Sequence, residues 1–293
     1  MDVKKPCFAC KYTNTYKKFK DIYGSNFEWF SKNRLIVIGE VALTKIVETG
    51  VQGLNELMSG GFPEGRVILV VGGPGTGKTI FAAQFLYKGI ANHQQNGIYI
   101  SLDESKDHFY SEMQNFGWDF KKTEEEENFV FIDATRMSRS ALLKGKLYGE
   151  PSSLRGKQLP IDKLIEELDV KIHQIDAKRV ALDTLATLFQ RFPDPIERRS
   201  AVVDLFESLS ELGITTVITT ELGYLSLDRT VSVEEYLAHG VIMMQTLFSH
   251  GVTSRALQVE KMRGVKINPK LVPYTIDKNG VEVFPDITLF EKR

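Results

Sequence analysis

Eight consecutive residues, Gly72-Gly73-Pro74-Gly75-Thr76-Gly77-Lys78-Thr79, fit the spacing G-x-x-x-x-G-K-[ST] in full. Backbone N–H groups can wrap a chain of phosphates only where no side chain blocks close approach, and the glycines permit that approach. Lys78 brings a full positive charge to the β- and γ-phosphates, and the Thr79 hydroxyl is a ligand for Mg²⁺. A helix opening at Ile80 aims its partial positive N-terminal end at the same anion. The chemistry these residue types serve is the capture of a nucleoside triphosphate together with its magnesium ion.

Such a loop needs an acidic partner for the metal. Arg179-Val180-Ala181-Leu182-Asp183 is an apolar run that ends in a carboxylate, where a sheet of this kind opens its ligand crevice. An aspartate capping the following turn is the ordinary alternative, and the phosphate loop upstream moves the reading of Asp183 towards the metal. Hydrolysis also requires a group to orient or deprotonate water, and Asp103 and Glu104 stand at the end of the run Gly97 to Leu102. Neighbouring residues on a strand end point in different directions, so at most one of the pair faces the γ-phosphate. Thr219, Thr220 and Glu221 close a further strand and are weaker candidates for sensing that phosphate.

The elements that must hold these groups are legible in the hydrophobic pattern. Arg66 to Val71 reads as a buried strand and Ile80 to Ile90 as a helix, the context a phosphate loop requires. Gly97 to Leu102, Phe129 to Ala134, Arg179 to Leu185 and Thr215 to Leu222 read as further strands. Between them, Phe109, Met113 and Phe116 mark one helical face, Leu164, Ile165, Leu168, Ile172 and Ile175 a second, and Val202, Leu205, Phe206, Leu209 and Leu212 a third. The alternation predicts an α/β fold with a mostly parallel sheet flanked by helices on both faces. Near the carboxyl terminus, His239 to Phe248, Arg255 to Met262 and the pair around Asn279-Gly280 read as antiparallel strands, the last a tight hairpin.

With 293 residues the chain can bury a sizeable core, and its net charge of −1 argues against a protein dominated by contacts to nucleic-acid phosphates. No apolar run approaches the roughly 18 residues of a membrane span, and no secretory signal opens the chain, so the default location is the cytoplasm. Cys7 and Cys10 form a lone C-x-x-C, and with no histidine before His93 they cannot by themselves complete a four-ligand zinc site. Residues 1–45 form a basic, aromatic arm: eight Lys or Arg against three acidic residues between Met1 and Arg34. Tyr12, Tyr16, Phe19, Tyr23, Phe27 and Phe30 recur at helical steps within it. The stripe suits packing on its own domain or a neighbouring subunit, and basic residues beside aromatics also suit nucleic acid or a membrane surface.

In the order phosphate loop, Asp103-Glu104, Asp183, Thr219-Thr220-Glu221 and then Lys261-Met262-Arg263-Gly264, the chain resembles the KaiC-like ATPases of the RecA superfamily, especially their single-domain archaeal members. Gly50 to Gly61 is similar to the family's lead-in to the loop, and Phe116-Gly117-Trp118-Asp119 to its turn after the next helix. The resemblance runs from about Ile46 to Pro285 and implies an ATPase domain over 46–285, with 286–293 as a tail. It implies a RecA-type core that assembles as a homo-oligomeric ring, usually of six subunits, with ATP and Mg²⁺ held between neighbours. Carried over residue by residue, Gly72, Gly73, Pro74, Gly75, Thr76, Gly77, Lys78 and Thr79 bind ATP, and Thr79 and Asp183 serve magnesium. Asp103 and Glu104 occupy the place of the catalytic acidic pair, while Lys261 and Arg263 match residues that act on a neighbour's nucleotide. Many relatives have Glu-Glu where this chain has Asp103-Glu104, a departure that implies slow hydrolysis.

The leading expectation is therefore an oligomeric ATPase whose turnover drives or times a conformational change. A nucleotide-dependent scaffold with vestigial hydrolysis is the alternative that the Asp103 departure allows. A recombinase-like DNA-binding protein is the third reading, and Glu221 to Ala238 disfavours it, with four acidic residues against one basic. Any nucleic-acid binding would fall to the arm. The protein client is not encoded in any motif of the chain.

Overall fold

The computed structural model describes residues 45–135, 159–189, 192, 194–222, 231–249, 252–287 and 289. The aromatic stripe, Cys7 and Cys10, and most of the tail lie outside the described residues.

The chain opens with β1 (Ile46–Val47), a 3₁₀ turn (Leu54–Leu57) and β2 (Phe62–Pro63), which pairs antiparallel with β1. Then come β3 (Val67–Gly72), α1 (Lys78–His93), β4 (Gly97–Ser101), α2 (Lys106–Gln114), α3 (Phe120–Glu125) and β5 (Phe129–Asp133). The middle of the chain supplies α4 (Leu159–Ile175), β6 (Arg179–Asp183), α5 (Leu185–Phe189), α6 (Pro195–Glu211) and β7 (Thr215–Glu221). The last described part is α7 (Val233–Leu237), β8 (Gly240–Ser249), β9 (Val252–Met262), β10 (Val272–Asp277) and β11 (Gly280–Val283).

Among the described residues, nine strands form one sheet in the order β11-β10-β9-β8-β3-β7-β6-β4-β5. The six from β8 to β5 run parallel, and β9, β10 and β11 are antiparallel additions to one edge. Leaving β3, the chain crosses β7 and β6 to reach β4, so β3 borders the point where strand order reverses, and ligand crevices open there.

Two-residue alternation sorts the strand side chains onto two faces. Ile68, Val70, Tyr99, Ala181 and Val217 belong to the apolar cluster that also holds α1, α2 and the C-terminal strands. Val67, Leu69, Val71, Ile98, Ile100, Val180, Leu182 and Ile218 belong to the opposite cluster, under α4 and α6. The strands are apolar on both faces because both are covered. Asp183 shares the parity of Ala181, and Thr219 that of Val217, so both face the α1 side.

A single amide fastens α1 to both ends of the described chain. Gln84 is 2% exposed. Its Nε2 donates to the carbonyls of Gly50 and Val281, each at 3.0 Å, and its Oε1 accepts from the N–H of Val281 at 2.6 Å. Nearby, the Val283 N–H donates to the Gln52 carbonyl at 2.9 Å.

Several boundaries differ from the sequence reading for local reasons. The helix after the phosphate loop begins at Lys78 rather than Ile80, with Gly77 as a left-handed cap (φ 93°), a conformation that favours glycine. The strand carrying Asp183 stops there instead of at Leu185, which opens α5. The strand before Asp103 and Glu104 stops at Ser101, because the Ser101 hydroxyl donates to the Glu104 carbonyl at 2.6 Å and accepts its N–H at 2.9 Å, closing a turn. β8 reads as one of a set of antiparallel strands, yet it pairs in parallel with β3 from Ile68↔Gly240 to Gly72↔Met244 and is antiparallel only to β9. Periodicity shows which face a strand buries and carries no information about its direction.

Candidate nucleotide site

The phosphate loop leaves the buried end of β3 and returns as α1. A Cβ added to Gly73 or Gly75 would meet no heavy atom within 4 Å, so open space lies over these two glycines, where a phosphate chain has room to settle. A Cβ at Gly72 would sit 2.6 Å from the Met244 carbonyl of β8, so that glycine is required by the close approach of the neighbouring strand. The loop is tied by its own side chains. Lys78 Nζ donates to the carbonyls of Gly72 and Gly73, both at 3.0 Å, and the Thr76 hydroxyl donates to the Gly73 carbonyl at 2.8 Å. Burial lowers the proton affinity of Lys78, while the negative charges of Asp183 and Glu221 oppose that change.

Asp183, at the end of β6, is the hub. Its Oδ2 accepts the Thr79 hydroxyl at 2.6 Å and the Tyr99 hydroxyl at 2.8 Å. Its Oδ1 accepts the Thr219 hydroxyl from β7. Three hydroxyls from α1, β4 and β7 thus converge on one carboxylate, and hydrogen bonds to a charged acceptor are the stronger kind. Tyr99 sits one alternation back on β4, opposite Ala181, and its long ring spans the extra distance. That ring is held by Phe109 and Phe131, with centroids 4.1 and 5.6 Å away. Burial, reinforced by Asp183, pushes the Tyr99 hydroxyl well above its usual range, so it remains a donor.

Asp103 and Glu104 both border this crevice, and their carboxyls differ. Asp103 Oδ1 accepts the hydroxyl of Thr187, on α5. Burial raises its proton affinity, Thr187 opposes this, and Asp183 and Glu221 add to it. Glu104 is raised to about 7, first by burial and then by Glu112 and Asp183, with His108 opposing. Its side chain is 22% exposed.

Lys261 and Arg263 are not brought to this crevice. Lys261 pairs with Val241, itself level with Leu69, and the Arg263 N–H donates at 2.8 Å to the His239 carbonyl, beside the start of β3. At about 3.3 Å per residue these rows lie roughly 10–17 Å below Gly72 along the strands. Both cations are folded onto the last carbonyls of α7. Lys261 Nζ donates to Tyr236 at 2.7 Å and to Glu235 at 3.2 Å, and Arg263 donates to Tyr236 at 3.1 Å. Burial, then Arg263, lowers the proton affinity of Lys261.

The donor set suits magnesium. Thr79 and Asp183 present hydroxyl and carboxylate oxygens 2.6 Å apart, and a hard cation that keeps several waters needs only one or two protein carboxylates beside the phosphates. Among the described residues no three His, Cys, Asp or Glu side chains gather around a common centre.

Sequence reasoning did not reach Tyr99 or Thr187. Tyr99 is recoverable by aligning β4 with β6, since its parity matches that of Asp183; Thr187 carries no local signal. Thr219, singled out as a weak phosphate sensor, is fully buried and bonded to Asp183.

A parallel sheet with a phosphate loop at its switch point, and an aspartate two strands away bonded to the loop's threonine, defines a RecA-type nucleotide-binding α/β protein. The family model described as "ATPase: KaiC" matches residues 47–288, and the chain belongs to that family. It is 35% identical to the UPF0273 protein MJ1359 of Methanocaldococcus jannaschii over 84% of this chain and 98% of that protein. It is 30% identical to the circadian clock oscillator protein KaiC of Acaryochloris marina over 89% of this chain and 47% of that longer protein. Among solved structures, the KaiC-like protein PH0186 of Pyrococcus horikoshii OT3 superposes with a TM-score of 0.69 at 32% identity, covering 83% of this chain and all of that one. Family membership supports nucleotide binding and ATPase chemistry in general terms. Among the described residues no helix is long and apolar enough to cross a membrane.

Proposed function

We propose that this chain is a slow ATPase working as a closed ring of identical subunits, six by resemblance, with each nucleotide held between neighbours. The observation that carries the reading is the distance between the phosphate loop and the pair Lys261 and Arg263. The loop sits at the carboxyl end of the parallel strands and the cations lie towards their amino end, bonded to α7, which supports a role on a neighbour's nucleotide rather than on that of their own chain. A head-to-tail arrangement would set the amino end of one sheet against the carboxyl end of the next.

In this reading Gly72 to Thr79 hold the triphosphate, Lys78 turns from the loop carbonyls to the phosphate oxygens, and Thr79 and Asp183 hold the magnesium ion. Magnesium, when bound, neutralises charge across the β- and γ-phosphates. Glu104 takes the proton of the attacking water, since its affinity near neutrality suits a base and its carboxylate is not engaged by Thr187 as that of Asp103 is. Lys261 and Arg263 of a neighbour stabilise the developing charge. Residues 1–45 precede the ATPase domain of 46–285, and residues 286–293 follow it as a tail.

Complementation tests the shared site. Lys78→Ala and Arg263→Ala subunits, each inactive alone, should regain phosphate release when mixed, because some interfaces then pair an intact loop with an intact arginine. Co-assembly without recovery, shown by native mass spectrometry, would remove the role in trans. The same Lys78→Ala protein is the baseline for turnover: wild type that releases no phosphate above it would be a scaffold.

A further inference from the structure

The C-terminal hairpin reaches back to the phosphate loop. Tyr274, on β10, is 2% exposed, and its hydroxyl donates to the main-chain carbonyl of Thr76 at 2.6 Å, across 198 positions of sequence. Ile276, two residues further on the same face of β10, packs against Gly77 so closely that a Cβ there would collide with its Cδ1.

We infer that Tyr274 is a positioning residue for phosphate binding: its hydroxyl fixes the Thr76-Gly77 peptide so that the Gly77 N–H is aimed at the anion. This rests on the nucleotide reading above. The peptide is planar and trans, so its C=O and N–H point in opposite directions. Drawing the carbonyl inward to a buried phenol turns the N–H outward, towards the open space over Gly73 and Gly75. The rest of the loop follows the same scheme. The Gly72 and Gly73 carbonyls are taken by Lys78, and that of Gly73 also by Thr76, while the Gly77 carbonyl accepts the Phe81 N–H at 2.9 Å as the first helical bond. The Gly72 carbonyl also accepts the Leu222 N–H at 3.2 Å, and Tyr274 supplies the side-chain tether in this set that comes from outside the loop and α1. Burial pushes its hydroxyl above the usual range, so it stays protonated and donating at every working pH.

With the Gly73, Thr76 and Gly77 carbonyls held by Thr76, Tyr274 and Phe81, only Lys78 has to turn before the loop presents its amides. Removing one tether lets a peptide rotate, and the cost falls on any polyphosphate that binds those amides, irrespective of the base. Tyr274→Phe removes one oxygen and leaves the ring. Ile276→Val loosens the neighbouring packing and leaves the hydroxyl.

Calorimetric titration of both variants and wild type with ATP·Mg²⁺, ADP and inorganic tripolyphosphate, in the nucleotide-free full chain, is the test. Tyr274→Phe should weaken all three ligands alike, by about five- to tenfold, raising KM with kcat unchanged, while Ile276→Val stays near wild type. Equal weakening in both variants, or loss in kcat alone, would assign the effect to packing or to chemistry and overturn the inference. Wild type that binds while Tyr274→Phe binds as well overturns this inference alone, and wild type that takes up no triphosphate overturns the nucleotide reading with it. A second measurement needs no variant: the Gly77 amide resonance of wild type should move downfield on adding tripolyphosphate, and an unmoved resonance counts against it.

Discussion

The two ends of the parallel strands handle charge in opposite ways. At the carboxyl end, Asp183 is met by three side-chain hydroxyls from α1, β4 and β7. At the amino end, Lys261 and Arg263 rest on the main-chain carbonyls of α7, and the fully buried Arg179 donates to the Phe85 carbonyl and the Gln95 side chain, each at 2.8 Å. Its guanidinium also lies 4.6 Å from the centre of the Phe85 ring, and burial lowers its pKa to about 10. The hub at Asp183 exists only when distant elements are in register, so its geometry reports the whole fold. One end gathers side-chain hydroxyls around a carboxylate, and the other settles cations on main-chain carbonyls.

Arg263→Ala offers the widest separation of the two ends. It should cut phosphate release by about 10³-fold or more while ATP affinity holds, since a transition-state cation is lost without touching the loop. Asp183→Asn attacks the other end: magnesium dependence should weaken by about 10- to 100-fold in titrations of activity against the metal, with the hydroxyls left facing a weaker acceptor. A fall of equal size and kind in both variants would erase the distinction. Gly89→Ala should destabilise by about 2 kcal/mol in denaturant melts, because its methyl would collide with the buried Arg179 side chain and overpack the amino end. The pH dependence follows from Glu104. A base must be unprotonated to accept a proton, so kcat/KM should climb tenfold per unit up to about 7 and then level off, and Glu104→Gln should abolish the slope. Thr219→Val is the mildest, at about 1–2 kcal/mol of stability, as two hydroxyls still hold Asp183.

Much of this was legible in the chain because local chemistry and fold agree there. The loop from Gly72 to Thr79 announces itself through backbone requirements that few sequences satisfy, and Asp183 through an apolar strand ending in a carboxylate. Family membership, inferred from motif order, is supported by the match over 47–288. What was not legible depends on register or distance. The Tyr99 hydroxyl reaches Asp183 only once β4 and β6 are aligned, and Thr187 stands in a short helix just beyond the run that reads as a strand to Leu185. β8 gives no hint of its parallel pairing with β3, because direction is settled by the connection through α7 and by the sheet already formed. Tyr274 lies 198 residues from its partner. Lys261 and Arg263 are reached only through the family resemblance, and nothing local in the sequence shows that both bond to the end of α7.

Gln84 has a consequence for how the molecule comes apart. One carboxamide joins the segment near Gly50, the middle of α1 and strand β11, so none of the three can peel away without breaking the same bonds. Amide hydrogen exchange should find them opening as a single cooperative block, and clipping the chain before Val281 would loosen the entrance to the fold as well as its exit.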